Sequence, residues 1–261
     1  MQTTFLEEIL SLKRARVEQA KRRSKIQNPK SEIRNRKPYR LREALQKDRV
    51  NIIAEIKRAS PSKGIINDKI DVAETARAYE RGGACAISVL TEEDRFRGSL
   101  EDLRAARAVV NLPILRKDFI FDEFQIEEAE AAGTDVILLI VAMLDKKDLE
   151  RLYKFADSLG LDVLVEVHTL AELETAASLG AKIIGVNNRD LHSFKVSLDV
   201  SRELIKHAPK DALMIAESGI STKEEILELR RLGFSGFLIG ESLMRSENAA
   251  NSLASLASLE S

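Results

Sequence analysis

Short apolar runs of β type recur along this chain and alternate with stretches of helical periodicity. The runs begin near Val50, Ala84, Pro113, Asp135, Asp162, Lys182, Ala212 and Gly236, with successive starts 20 to 34 residues apart. That spacing is one strand–helix unit. Between the runs, apolar side chains return every three or four positions, as in Ala73, Ala76 and Ala78–Tyr79 or Leu149, Leu152 and Phe155–Ala156. Such stripes pack a helix on a sheet. Asp71 is placed to cap a helix running to Gly82, and Ser99 one over Leu100–Val110. Four further patterns stop at glycine: Glu123–Ala132 at Gly133, Leu144–Leu159 at Gly160, Thr169–Leu179 at Gly180 and Thr222–Leu232 at Gly233. A glycine just past a helix supplies the left-handed closing residue. Eight units in about 210 residues predict a (β/α)8 barrel over residues 50–261. An open doubly wound sheet is the rival, but eight regular units with polar strand ends favour closure.

The first 49 residues follow a different pattern. Phe5, Leu6, Ile9, Leu10 and Val17 share one helical face. Asn28-Pro29 breaks that helix, Lys37-Pro38 marks a second bend, and Arg42–Lys47 reads as a short second helix. The segment is too short and too polar to hold its own core, so residues 1–49 are expected to be a helical extension packed on the barrel.

Charge sharpens this division. Net charge is −1, yet residues 1–49 carry 15 Lys/Arg against 6 Asp/Glu. A basic arm can bind a polyanion, and it can equally pack on the acidic remainder of the chain, which is the reading adopted. The single cysteine, Cys85, excludes a disulfide framework and fits a cytoplasmic home. No signal peptide is expected at the N-terminus. The longest apolar run, Val136–Leu144, is nine residues, too short to span a bilayer. The three histidines, His168, His192 and His207, are not at zinc-ligand spacing. No glycine-rich Walker or dinucleotide pattern is present.

The candidate chemistry lies where the apolar runs end. Asn51–Ile56 carries Glu55 and leads into Lys57; Pro113–Leu115 leads to Lys117, Val163–Val165 to Glu166, Ile183–Val186 to Asn187, and Leu213–Ala216 to Glu217. Inward residues alternate along a barrel strand, and active sites gather at the strands' C-terminal ends. The two-residue steps allow these groups to point inward together, where a low dielectric shifts their pKa values apart and suits them to acid and base roles. The alternative is an ion-pair network that only ties the barrel top. Ser218-Gly219 after the seventh run and Gly240-Glu241 after the eighth fit a phosphate site, with the Glu241 side chain turned away and its backbone N–H engaged. Ser60-Pro61-Ser62-Lys63-Gly64 reads as a flexible lid or an ordinary surface loop.

The stretches IIAEIKRASPSKG, ISVLTEEDRFRGS, PILRKDFIFDEFQIEEA, VLVEVHTLAEL, IIGVNNRDLHSF, IAESGIS and FLIGESLM closely resemble the indole-3-glycerol-phosphate synthase family, in order, from about residue 5 to 246. The resemblance implies closure of the indole ring of 1-(2-carboxyphenylamino)-1-deoxyribulose 5-phosphate, with loss of carbon dioxide and water, in tryptophan biosynthesis. It implies Lys117 as general acid on the carbonyl and Glu166 as the acid–base group of dehydration, assisted by Lys57. Glu55 and Glu217 would orient the lysines, Asn187 would bond the sugar or oxyanion, and Arg189 would pair with the substrate carboxylate. Ser218, Gly219, Gly240 and Glu241 would hold phosphate. Ser60 and Pro61 of the first loop, with Phe96, Phe119, Leu138 and Leu191, would line the slot for the aromatic ring. No metal or organic cofactor is implied, and neither nucleic acid nor membrane is a partner. A monomer or weak homo-oligomer is expected, with docking to other tryptophan-pathway enzymes a further possibility and no fused second enzyme. Two rivals stand beside this reading. One is a phosphoribosyl isomerase barrel, disfavoured because Cys85 lies in mid-strand; the other is a phosphosugar- or nucleic-acid-binding barrel without turnover.

Overall fold

The computed structural model describes residues 5–23 and 37–258. Eight parallel strands close into a barrel: β1 (Ile52–Ile56), β4 (Ala86–Leu90), β5 (Ile114–Lys117), β6 (Val136–Ile140), β7 (Asp162–Val167), β8 (Ile183–Asn187), β9 (Leu213–Glu217) and β10 (Gly236–Ile239), with β10 pairing back to β1. The (β/α)8 barrel expected from the spacing is therefore the fold. Two further strands, β2 (Ala59–Ser60) and β3 (Gly64–Ile65), pair antiparallel inside the first loop. The segment read as a flexible lid or an ordinary surface loop is framed by this small ribbon.

The strands are nearly continuous runs of Ile, Val and Leu because both of their faces are buried. Alternation still sorts the two faces. Ile53, Leu115, Leu138, Leu164, Ile183 and Leu238 fill the barrel interior. Ile52, Ile87, Ile137, Val165, Ile184 and Phe237 face the helices. Carrying the inward set two residues on reaches Glu55, Lys117, Glu166 and the gap at Gly240.

Helix α3 (Val72–Arg81) starts at Asp71, whose side chain accepts the Glu74 N–H at 3.0 Å. Helix α4 (Leu100–Arg107) is capped by Ser99 as expected but ends three residues early. Helix α5 spans Glu123–Ala131, with Gly133 in the left-handed region just beyond. The pattern from Leu144 resolves into a 3-10 turn (Val141–Met143) followed by α6 (Lys146–Ser158), because Asp145 caps α6 by accepting the Asp148 N–H at 2.8 Å. Helices α7 (Leu170–Leu179) and α9 (Lys223–Leu232) are capped by Thr169 and Thr222 and closed by Gly180 and Gly233. Three further helices, α8 (Asp199–Leu204), α10 (Glu241–Met244) and α11 (Ala249–Ala257), and a 3-10 turn after α8 (Ile205–His207) complete the barrel's elements.

The N-terminal segment holds the barrel at both ends. Helix α1 (Phe5–Arg23) buries Ile9, Lys13 and Val17 and reaches the mouth formed by strand C-termini, where Phe5 borders the cavity described below. Helix α2 (Arg40–Leu45), shifted slightly from the expected Arg42–Lys47, plugs the opposite end. Leu41, Ala44 and Leu45 join the interior cluster with Ile53 and Ala86. Asp162, the first residue of β7, accepts the backbone N–H groups of Leu41 and Arg42 at 2.8 and 3.1 Å and the Arg42 guanidinium at 2.5 Å. The bend at Lys37-Pro38 leads directly into α2, with Tyr39 at φ 56°. The break assigned to Asn28-Pro29 lies outside the described residues.

Three described cations of helix α1 are met by barrel carboxylates. Lys13 pairs with Asp118 at 2.5 Å and Glu93 at 3.3 Å, Arg16 with Asp94 at 2.5 Å and Lys21 with Asp122 at 2.6 Å. Cys85 corrects the mid-strand placement: it precedes the first residue of β4, at the end of the strand away from the mouth, and burial pushes its thiol up to about 12.

Candidate active site

The strand-end charges meet. Lys117 closes β5, and its Nζ lies 2.6 Å from Glu166 Oε2 on β7 and 3.2 Å from Glu217 Oε2 on β9. Lys57, just beyond β1, sits 2.7 Å from Glu55 Oε1. Asn187 ends β8 in register with Glu217. Its Oδ1 accepts the Arg189 N–H at 3.0 Å, which aims the chain that follows. Every candidate named from the sequence borders one cavity of about 480 Å³ at this end of the barrel.

Two glycines make room for the charges. A Cβ at position 185 would stand 2.0 Å from Glu217 Oε1, so a bare strand position lets that carboxylate lie across β8. A Cβ at 240 would stand 2.7 Å from Glu55 Oε1. Gly240 therefore serves Glu55 as well as any anion approaching the loop.

Burial and mutual charge then set the protonation states. Burial alone would lower the Lys117 ammonium, but Glu166, Glu217 and Glu55 together raise it well above the ordinary lysine value. Burial works against the Glu166 carboxylate, yet Lys117 and His168 hold it below the usual carboxylate range. Glu217 goes the other way: burial, with Glu166 beside it, outweighs Lys117 and pushes it up to about 8. Two carboxylates driven apart around one ammonium are suited to opposite proton-transfer roles.

One side of the cavity is apolar. The Phe96 and Phe119 rings lie 6.2 Å apart, and Phe5 meets Phe119 and Phe194 edge-on at 6.4 and 5.3 Å. Pro61, Leu138 and Leu191 complete that wall. Phe96 is set by a buried carboxylate, Glu92, which accepts the backbone N–H groups of Asp94, Arg95 and Phe96 at 2.7–3.0 Å. At the rim, Arg189 Nη1 donates to Ser62 Oγ at 3.1 Å and so ties the ribbon beside Ser60 and Pro61 to the β8 loop. Opposite lies the polar end. Ser218 (φ 67°) and Gly219 (φ 79°) are successive left-handed residues after β9. Asn188 Nδ2 braces them by donating to the carbonyls of Glu217 and Ser218 at 3.0 and 3.1 Å. The Glu241 carboxylate pairs with Lys63 (3.7 Å) and Arg245 (3.5 Å).

The sequence profile of the family described as indole-3-glycerol phosphate synthase matches residues 6–256. The chain belongs to the indole-3-glycerol phosphate synthase family. It is 46% identical over 261 residues to the indole-3-glycerol phosphate synthase of Carboxydothermus hydrogenoformans, covering 95% of this chain and 98% of that one. With the protein of the same name from Aquifex aeolicus it shares 48% over 258 residues, 97% and 98% of the two chains. Among solved structures it resembles 3-hexulose-6-phosphate synthase from Salmonella typhimurium, with a TM-score of 0.63, 13% identity and coverage of 79% and 96%. It also resembles thiamine phosphate pyrophosphorylase from Pyrococcus furiosus, with a TM-score of 0.61, 20% identity and coverage of 83% and 95%. At these identities the two structures attest the barrel fold.

Several residues of this family member's cavity escaped the sequence reading. Phe5 and Phe194 carry no local signal, since each looks like packing until α1 is laid over the mouth. Ser62, Ser242 and Arg245 border the cavity from loop positions that composition does not distinguish. Ser242 Oγ is buried with no hydrogen-bond partner. Lys13 was readable only as one more charge on a basic helix. Among the described residues, no cluster of three His, Cys, Asp or Glu is placed to hold a metal ion. No described helix is long and apolar enough to cross a membrane.

Proposed function

We propose that this chain converts 1-(2-carboxyphenylamino)-1-deoxyribulose 5-phosphate to indole-3-glycerol phosphate, carbon dioxide and water, with Lys117 and Glu166 at the centre of the chemistry. The observation that carries this reading is the 2.6 Å contact between Lys117 and Glu166 at the floor of a mouth with one aromatic wall and one phosphate-suited end. Such a cavity suits a ligand that is an aryl carboxylate at one side and a phosphate at the other.

Lys117 is an ammonium at neutral pH, so it serves as donor to the ribulose C2 carbonyl. As the carboxyl-bearing ring carbon attacks, the carbonyl electron pair moves onto oxygen and takes the lysine proton. Preorganised charge at a developing oxyanion is the most effective form of such help. Carbon dioxide then leaves, and its bonding pair restores the aromatic ring. Glu166, ionised, removes one proton from the adjoining CH2 and passes it to the new hydroxyl; the C–H pair forms the ring double bond as the C–O bond breaks and water departs. The substrate carbonyl competes with Glu166 for Lys117, so binding itself frees the carboxylate for this second half. Lys57, steadied by Glu55, neutralises substrate anions and assists dehydration; Glu217 orients Lys117. Asn187 bonds the sugar, Arg189 exchanges Ser62 for the aryl carboxylate, and the Ser218, Gly219, Gly240 and Glu241 backbones take the phosphate. Phe96, Phe119, Leu138, Leu191 and Pro61 with Ser60 enclose the ring.

The chain works in the cytoplasm as a monomer or weak homo-oligomer, with a small phosphorylated substrate. The N-terminal 49 residues act as an extension of the barrel. The test is an indole-fluorescence assay on purified protein with the anilino-deoxyribulose phosphate. Production of indole-3-glycerol phosphate is expected, abolished or nearly so in Glu166→Gln. Tight binding without product would leave only a phosphosugar-binding barrel.

A further inference from the structure

Lys117 is not the only group holding Glu166. Two residues on, at the end of β7, the imidazole of His168 brings Nε2 to 3.5 Å from Glu166 Oε1, whereas Lys117 takes the other oxygen, Oε2. The ring is clamped from behind. Its Nδ1 lies 3.2 Å from Glu172 Oε2, and that same oxygen accepts the His168 backbone N–H at 2.8 Å. Glu172 is fixed in turn in the first turn of α7. Its Oε1 accepts the Thr169 hydroxyl at 3.2 Å, and its own N–H donates to Thr169 Oγ1 at 3.3 Å. His168 Nε2 is buried without a hydrogen-bond partner, a few tenths of an ångström beyond bonding reach of Glu166.

The donor and acceptor inventory decides what that gap holds. Nδ1 faces a carboxylate and therefore carries a proton. Nε2 then faces a second carboxylate, either with its own proton as imidazolium or with a lone pair toward a protonated Glu166. In both cases one proton belongs between His168 and Glu166. Burial disfavours the imidazolium, but Glu172 from α7, Glu166 from β7 and Glu217 from β9 outweigh it and raise His168 above its ordinary value. The 3-10 turn Val141–Met143, which packs against both β7 and α7, brings no titratable side chain.

We propose that His168 is a positioning residue for the ring-closing reaction, holding Glu166 through Nε2 and keeping a proton beside it while Lys117 is engaged with substrate. The inference rests on the acid–base role assigned to Glu166 above. A buried carboxylate that loses its ammonium is costly unless another cation stands by. His168 is the cation placed to do this, and Glu172 is the group that keeps it charged. The spacing Glu166, His168, Glu172 is legible in the sequence, but only the fold turns it into a line.

The experiment compares His168→Ala, His168→Gln, Glu172→Gln and Glu166→Gln with the parent. In His168→Ala, kcat is expected to fall by about 10²-fold, the cost of misplacing a reacting group, with KM changed by less than about threefold. The acid limb of the kcat–pH profile should move to higher pH, because Glu166 loses the charge that keeps it ionised. His168→Gln, which retains a donor, should recover part of kcat. Glu172→Gln should shift the limb in the same direction by less. A second measurement needs no variant at His168. The chain has three histidines, and exposed His192 and His207 can be replaced by Gln to assign the imidazole signals by NMR. His168 should titrate above the ordinary histidine value and fall in Glu166→Gln. An unchanged limb in His168→Ala, or a kcat loss accompanied only by a lower melting temperature, overturns the proposal. So does an imidazole that ignores Glu166→Gln. If Glu166→Gln itself turns over normally, the parent reading fails; if it is dead while His168→Ala is as active as the parent, only this inference fails.

Discussion

Among single residues, the chemistry turns on an ammonium shared by two unequal carboxylates. Lys117→Ala removes the proton donor and the charge over the developing oxyanion, so kcat should fall by about 10²–10⁴-fold, as for a lost general acid. Phosphate affinity should hold, and a variant within tenfold of the parent would refute the role. Removing Lys117 also leaves Glu166 and Glu217 facing each other, so the variant should bind a proton more readily than the parent. Glu217 gives a second prediction, on stability. Its folded pKa is raised from 4.5 to about 8, first by burial and then by Glu166. A raised carboxyl contributes stability that is complete below its unfolded value and is lost as pH climbs through the folded one. Glu166, held low, contributes stability above its unfolded value that is lost as pH falls below it. The unliganded protein should therefore lose melting temperature from about pH 5 to pH 9, and Glu217→Gln should flatten that decline. An unchanged slope in the variant would show that Glu217 is ionised throughout. The strand-end residues were legible because a period of two carries an inward apolar residue to an inward charge. His168 obeys the same period, yet three histidines at no ligand spacing gave no reason to single it out.

At the scale of elements, the helix boundaries were legible wherever local chemistry marks them. Asp71, Ser99, Thr169 and Thr222 cap by side-chain oxygens, and Gly180 and Gly233 close by positive φ. The start of α6 was misplaced because its cap, Asp145, lies inside an apolar-periodic run read from Leu144, and the remaining failures lacked such marks. The β2–β3 ribbon is two residues a side, and α8 has six residues and no closing glycine. Gly240 shows why a motif read for one purpose can serve two. With phosphate held at this loop, Gly240→Asp should mainly weaken binding. The packing adds that any Cβ there strikes Glu55, 2.7 Å from Oε1 and 2.9 Å from Cβ, which in turn steadies Lys57. Gly240→Ala should therefore lower kcat by about tenfold or more through displaced Glu55 and Lys57, and Gly240→Asp should add a rise in KM from charge repulsion. Steady-state kinetics separate the two. An alanine variant with the parent's kcat would mean that Glu55 moves aside at no cost.

At the scale of the whole molecule, the N-terminal segment does two separable jobs, because its two helices sit at opposite ends of the barrel. Helix α1 brings Phe5 to the aromatic wall and sends buried Lys13 to Asp118, the residue after Lys117. Removing α1 leaves the Asp118 carboxylate with Arg116 at 3.2 Å but without its shorter partner. Burial pushes Asp118 up, and Lys13 and then Arg116 hold it down. Losing one partner of a buried pair is expensive, about 3–5 kcal/mol where the other charge is stranded. Helix α2 instead buries Leu41 and Leu45 against the barrel interior and spends its first N–H groups on Asp162. Each lost core leucine costs about 2–5 kcal/mol. Deleting residues 1–23 should consequently raise KM and lower kcat in a barrel that still folds, with a moderately lower melting temperature. Deleting residues 1–49 should in addition open the barrel's lower end, exposing Ile53 and Ala86, and yield protein that melts far lower or aggregates. Circular dichroism melts beside the indole assay distinguish the cases. Full activity and an unchanged melt after the shorter deletion would make α1 dispensable. A stable, soluble barrel after the longer one would show that the strands' own pairing suffices to close that end.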